Sequence, residues 1–158
     1  LTLTDKDRTD DVYESISMEE IFLVIPAAHP LSRFALPVED GYGTMDVRML
    51  REEPFVFMDK SSTMRTIIDN LFKEAGFSPN VLLETGNNHT ILSMIELNLC
   101  CGIMPYYYVK DLNPSSFSCF HLPSRPSWNF VASYKRGSYL SKPAKNFIQL
   151  MKKKWGDM

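Results

Sequence analysis

Ser61-Ser62-Thr63 and Asn87-Asn88-His89-Thr90 are two runs of small hydrogen-bonding side chains, each placed where an apolar strand gives way to an apolar helix. Residues of these types lead the preferences for helix N-caps. The first N–H groups of a helix have no intrahelical partner and carry the positive end of its dipole, so such a turn suits a carboxylate or phosphate. One hydroxyl suffices for capping. Three in a row at Ser61, Ser62 and Thr63, flanked by Lys60 and Arg65, leave donors for an anion, the plain alternative being a cap and a solvated turn. Arg65 has a local partner in Asp69, four residues on. In the second run Asn88 is the expected cap, with the N–H groups of His89 and Thr90 pointing out of the helix start. Neither run is a Walker loop or a dinucleotide fingerprint, because the glycines are missing.

These runs need strands before them and helices behind them, and the pattern supplies both. Phe55 to Met58 is an apolar strand. Met64, Ile67, Ile68, Leu71, Phe72 and Ala75 recur at spacings of three and four as one helix face, closed by Gly76. Val81 to Glu84 reads as a second strand, and Ile91, Leu92, Met94, Ile95 and Leu97 as a second helix. A third strand is expected over Cys101 to Val109. Earlier in the chain, Val12, Tyr13 and Ile16 suggest a short strand after an exposed, charged lead-in, and Ile21 to Ile25 a buried strand stopped by Pro26. Residues 31–46 read as a surface loop, and Asp46 caps a short helix that Pro54 closes. Strands over Phe117–Leu122 and Trp128–Tyr134 follow. A final helix starts near Ser141 and Pro143, buries Ala144, Phe147, Ile148, Met151 and Trp155, and ends at Gly156. The expected class is α/β with a mostly parallel sheet.

Several functions are disfavoured. The chain has 158 residues and a formal net charge of −2, so no overall basic field invites nucleic acid, and Lys152-Lys153-Lys154 reads as the basic end of a helix. Cys100, Cys101 and Cys119 form no disulfide framework or zinc spacing and read as small core residues in a reducing compartment. His29, His89 and His121 share no metal-ligand spacing, so neither a metal nor a cofactor is expected. No motif pairs a serine or cysteine with a histidine, and Glu19-Glu20 and Glu52-Glu53 read as surface charge, so no enzyme is expected. The tyrosines 106–108 read as a strand packed under a helix rather than a cavity wall. No apolar run reaches the ~18 residues of a membrane span, and the polar start is not a secretory signal, which makes the cytoplasm the expected location.

Four segments, in this order, resemble the effector-binding domain of LysR-type transcriptional regulators: EEIFLVIPAAHPL (19–31), PFVFMDKSSTMRTIIDNLFKEAGFSPNVLLET (54–85), ILSMIELNLCCGIMP (91–105) and YKRGSYLSKPAKNFIQLMKKKW (134–155). The family's glycine pair is replaced by Asn98 and Cys100; asparagine tolerates the left-handed backbone of a helix end. The resemblance implies a fold like the type 2 periplasmic binding proteins, two lobes with mostly parallel sheets. Residues 1–26 would be a first-lobe segment and crossing strand, 27–115 the second lobe, and 116–158 the return to an incomplete first lobe. It further implies a small, anionic effector held between lobes against Ser61, Ser62 and Thr63, with Asn87, Asn88 and His89 nearby. DNA would be bound only through a helix-turn-helix domain absent from this chain, and copies of the chain would associate through the half-lobe. A transport-type solute-binding protein of the same fold is the alternative.

Overall fold

The structure is a computed structural model that describes residues 2–4, 10–35 and 41–155; of residues 2–4 it describes the backbone. The chain divides into two compact units, Leu1–Glu19 with Ser127–Met158, and Glu20–Pro126.

In the first unit, strand β1 (Thr2–Thr4) pairs antiparallel with β8 (Ser127–Lys135), which neighbours the long strand β2 (Asp11–Pro26). Helix α4 (Lys142–Trp155) buries Ile148 and Met151 against Ile16 and Ala132, with Phe130 and Trp155 alongside. Ser141 caps it, its hydroxyl accepting from the Ala144 N–H at 3.3 Å. The expected stop at Gly156 lies outside the described residues.

The second unit contains the later part of β2, β3 (Gly43–Thr44), β4 (Pro54–Met58), β5 (Asn80–Thr85), β6 (Cys101–Pro105) and β7 (Phe117–His121). β2 lies between β6 and β7 and is antiparallel to both, whereas β4 is parallel to β5 and β6, and β3 to β7. Every strand of this sheet except β2 therefore runs one way. The C-terminal ends of β4, β5, β6 and β7 share one edge. Helices α1 (Thr63–Ala75) and α2 (Asn88–Glu96) cover the sheet. Phe55, Phe57 and Phe72 stack at centroid distances of 5.1–5.5 Å under α1, while Ile91 and Ile95 of α2 pack with Phe22, Val24, Val56 and Met104.

The helix ends obey local chemistry. Gly76 adopts φ +77° and its N–H bonds the Phe72 carbonyl at 3.1 Å, closing α1. Asn98, at φ +59°, does for α2 what glycine does elsewhere. Two strand expectations need correction. The interval between Val12–Ile16 and Ile21–Ile25 is no break, because β2 runs unbroken through Glu14, Glu19 and Glu20. β6 stops at Pro105, which has no N–H for the ladder, and Tyr106–Val109 turns into a short helix, α3. The anticipated loop at 31–46 contains a 3-10 helix, Pro30–Phe34, and β3; its residues 36–40 lie outside the described residues. Asp46 caps a 3-10 helix, Val47–Leu50.

The three cysteines are buried, and burial pushes the Cys100 thiol up to about 11 and those of Cys101 and Cys119 up to about 12. In the unfolded chain these thiols ionise near 9, so rising pH draws protons from the unfolded state first and stability falls above about pH 9. The native chain at pH 8 should therefore resist a thiol reagent, which should titrate all three cysteines only after denaturant is added.

Close backbone approach gives a second expectation. A Cβ on Gly43 would lie 2.5 Å from the Phe34 carbonyl oxygen, whereas one on Gly102 would meet the Cδ1 tip of Ile95 at 2.8 Å and the branch methyl of Ile91 at 3.0 Å. Side-chain tips yield more readily than backbone. Gly102→Ala should cost about 1–3 kcal/mol as core overpacking, and Gly43→Ala more, read as shifts of the denaturant midpoint at constant slope.

Candidate functional site

The two turns that follow β4 and β5 are held side by side by strand pairing. Met58 lies opposite Thr85, and the Asp59 N–H donates to the Thr85 carbonyl at 3.1 Å. A buried arginine reinforces the junction. From the first turn of α1, Arg65 donates through its NH1 group to the Met58 carbonyl at 3.2 Å and to Glu84 at 2.7 Å, and through Nε to Asp69 at 2.7 Å. Its guanidinium also lies over the Phe57 ring at 5.6 Å. The sequence pointed to the Asp69 pair; Glu84 and the carbonyl come from the neighbouring strands.

Ser62 is the N-cap of α1, its Oγ accepting from the Met64 N–H at 3.2 Å. Ser61 is turned the other way. Both its N–H (2.9 Å) and its hydroxyl donate to one carboxylate oxygen of Asp59. These two bonds, the hydroxyl first, hold the Asp59 carboxyl below its ordinary range. Thr63 opens the helix, and its hydroxyl makes no hydrogen bond among the described residues. Of the three hydroxyls expected to face a ligand, one is a cap, one serves Asp59 and one is available. Asp59 is a candidate site residue that sequence reasoning passed over, although its spacing of two from Ser61 is that of an Asx turn.

At the second turn the cap is Asn87, not the expected Asn88. Asn87 has the extended backbone of an N-cap (φ −126°, ψ 111°), and its Oδ1 accepts from the His89 N–H at 2.9 Å. Asn88 is thereby the first helical residue, and its buried Oδ1 has no protein partner among the described residues. The His89 ring meets Tyr108 edge-on at 5.9 Å. Gly86 leaves room for Asp59: a Cβ there would be 3.1 Å from the carboxylate. The combined site offers the Thr63 hydroxyl, the amides of Asn87 and Asn88, and the first N–H of each helix as donors. Asp59 and Asn88 Oδ1 are the acceptors of the same two turns. The 440 Å³ groove of this unit lies at the opposite end of α1, around Phe72, Gly76 and Pro79, where the helix dipole presents its negative end.

This geometry can be set beside known proteins. The chain is 27% identical over 144 residues to the HTH-type transcriptional regulator YwbI of Bacillus subtilis, an alignment covering 89% of this chain and 45% of that one. It thus spans less than half of that relative. Its fold matches the CcmR regulatory domain of Synechocystis PCC6803 in complex with 2-PG (TM-score 0.79, 19% identity, 99% of this chain and 73% of that one). It also matches the effector binding domain of QuiR in complex with shikimate (TM-score 0.73, 16% identity, 98% and 69%). The family model of the LysR substrate binding domain matches residues 1–156, and the chain belongs to that family.

Proposed function

We propose that this chain is the ligand-sensing regulatory domain of a LysR-type transcription factor. It takes a small anionic effector at the starts of α1 and α2 and passes the binding energy to a DNA-bound oligomer. DNA contact belongs to a helix-turn-helix domain outside these 158 residues, and the reading involves no catalysis. One observation carries it: the turns into α1 and α2 leave adjacent parallel strands, tied together by Arg65, at the strand edge where open α/β sheets bind ligands. QuiR and CcmR, which share the fold, hold shikimate and 2-PG. That support is by analogy of fold.

Asp59 narrows the ligand. A bare carboxylate entering this site meets a like charge that already holds Ser61, so the favoured effector is an acid that also carries a hydroxyl or ammonium donor for Asp59. Association of copies is part of the same reading. β5 is an edge strand, and Val81, Leu82 and Leu83 on it are 37–54% exposed, an apolar edge of the kind that chains use to pair.

Isothermal titration of the chain with a panel of small carboxylates, with and without hydroxyl or amino groups, tests the site. Replacing Ser61, Ser62 and Thr63 together by alanine should weaken the best ligand by about 1 kcal/mol or more per lost charge-assisted bond. Asp59→Asn should act oppositely on simple carboxylates, raising their affinity several-fold while weakening acids that carry a donor. Affinities unchanged in both variants would remove the site from α1.

A further inference from the structure

At the end of β7 the same strand edge carries a buried polar atom that neither turn explains. His121 is 5% exposed, and its Nδ1 lies 2.7 Å from the Glu20 carboxylate. Its Nε2 is buried and has no protein partner among the described residues. Buried polar atoms in folded proteins are nearly always satisfied, and an exception asks for a physical reason. Glu20 supplies the first part of one. A carboxylate can only accept, so the neutral ring carries its proton on Nδ1 and presents a lone pair at Nε2. Arg125, 3.5 Å from the other Glu20 oxygen, offsets the charge of that carboxylate. The walls are aromatic: Phe22 at 4.7 Å from the imidazole, Tyr42 edge-on at 5.8 Å, and Tyr106 at 5.6 Å from Phe22.

We propose that the end of β7 is a second recess, where His121 Nε2 accepts a hydrogen bond from the hydroxyl of a small molecule held against these rings. Such walls with one oriented polar group are the usual make-up of a small-ligand site. A hydroxyl fits better than an ammonium because Arg125 already balances the nearby carboxylate. Tyr42, which follows Gly41 at φ +79°, is one of its walls. The recess is separate from the α1 and α2 site. β7 is three strands from β4, through β2 and β6, or about 14 Å at ordinary strand spacing, too far for one small acid to occupy both.

Long-range proton–nitrogen spectra of the 15N-labelled chain test this directly, since they report tautomer and hydrogen bonding for each of its three histidines. His121→Gln assigns the resonance. In the free protein His121 should be the Nδ1–H tautomer. Lactate, malate and glycerol should move its Nε2 resonance upfield in a saturable way, and propionate and succinate should not. The shift should persist in the Ser61/Ser62/Thr63 alanine variant, which separates this recess from the helix-start site. An Nε2–H tautomer in the free protein, or an Nε2 resonance unmoved by all three hydroxyl probes, would overturn the proposal whether or not carboxylates bind at α1.

Discussion

The arrangement of the larger unit hangs on Arg65. A guanidinium that is 8% exposed cannot shed its charge, and leaving it without acceptors would cost several kcal/mol. Its three acceptors come from three places: Asp69 on α1, the Met58 carbonyl at the end of β4, and Glu84 near the end of β5. Satisfying one side chain therefore fixes the first turn of α1 against two strand ends at once. The Asp59–Ser62 and Gly86–Asn88 turns take their separation from that junction. Lysine could supply the charge but not a planar fork reaching two strands and its own helix.

The same logic explains why β2 is longer than its apolar pattern. Glutamates at 14, 19 and 20 interrupt the alternation, and from the sequence Glu19-Glu20 read as surface charge. In the fold each meets a partner more than a hundred residues away: Lys152 for Glu14, the Trp128 indole N–H for Glu19, and His121 for Glu20, each at 2.7 Å. A strand tolerates such residues when tertiary contacts satisfy them, and no window of local sequence contains those contacts. The helices are the opposite case. The serine cap of α1, Gly76 and even Asn98 are local, so α1, α2 and α4 were legible from composition and spacing. Phe147, expected in the buried stripe of α4, is nevertheless 51% exposed, and Leu97, expected on α2, lies past its end.

The candidate site was legible in its position and less so in its chemistry. Small polar residues between a strand and a helix mark a turn, and both turns lie where the pattern put them. Which oxygen accepts and which donates depends on backbone angles. One residue of offset made Asn87 the cap and left the Asn88 oxygen without a partner among the described residues. Asp59, which the sequence reading passed over, is the group that engages Ser61. A count of hydroxyls therefore overstates the anion-binding capacity of the α1 start, since one carboxylate consumes two of its donors.

Arg65 and His121 are both buried, polar and paired with a glutamate, yet they differ in completeness. The three bonds of Arg65 are directed to protein, which is what a structural junction requires. His121 has one nitrogen oriented by Glu20 and the other without a partner among the described residues. Structural burial alone favours an apolar residue at such a place, because removing both partners of a buried pair is often neutral or stabilising. A ring oriented by a carboxylate, with its second nitrogen lacking a partner among the described residues, leaves one valence open to a ligand.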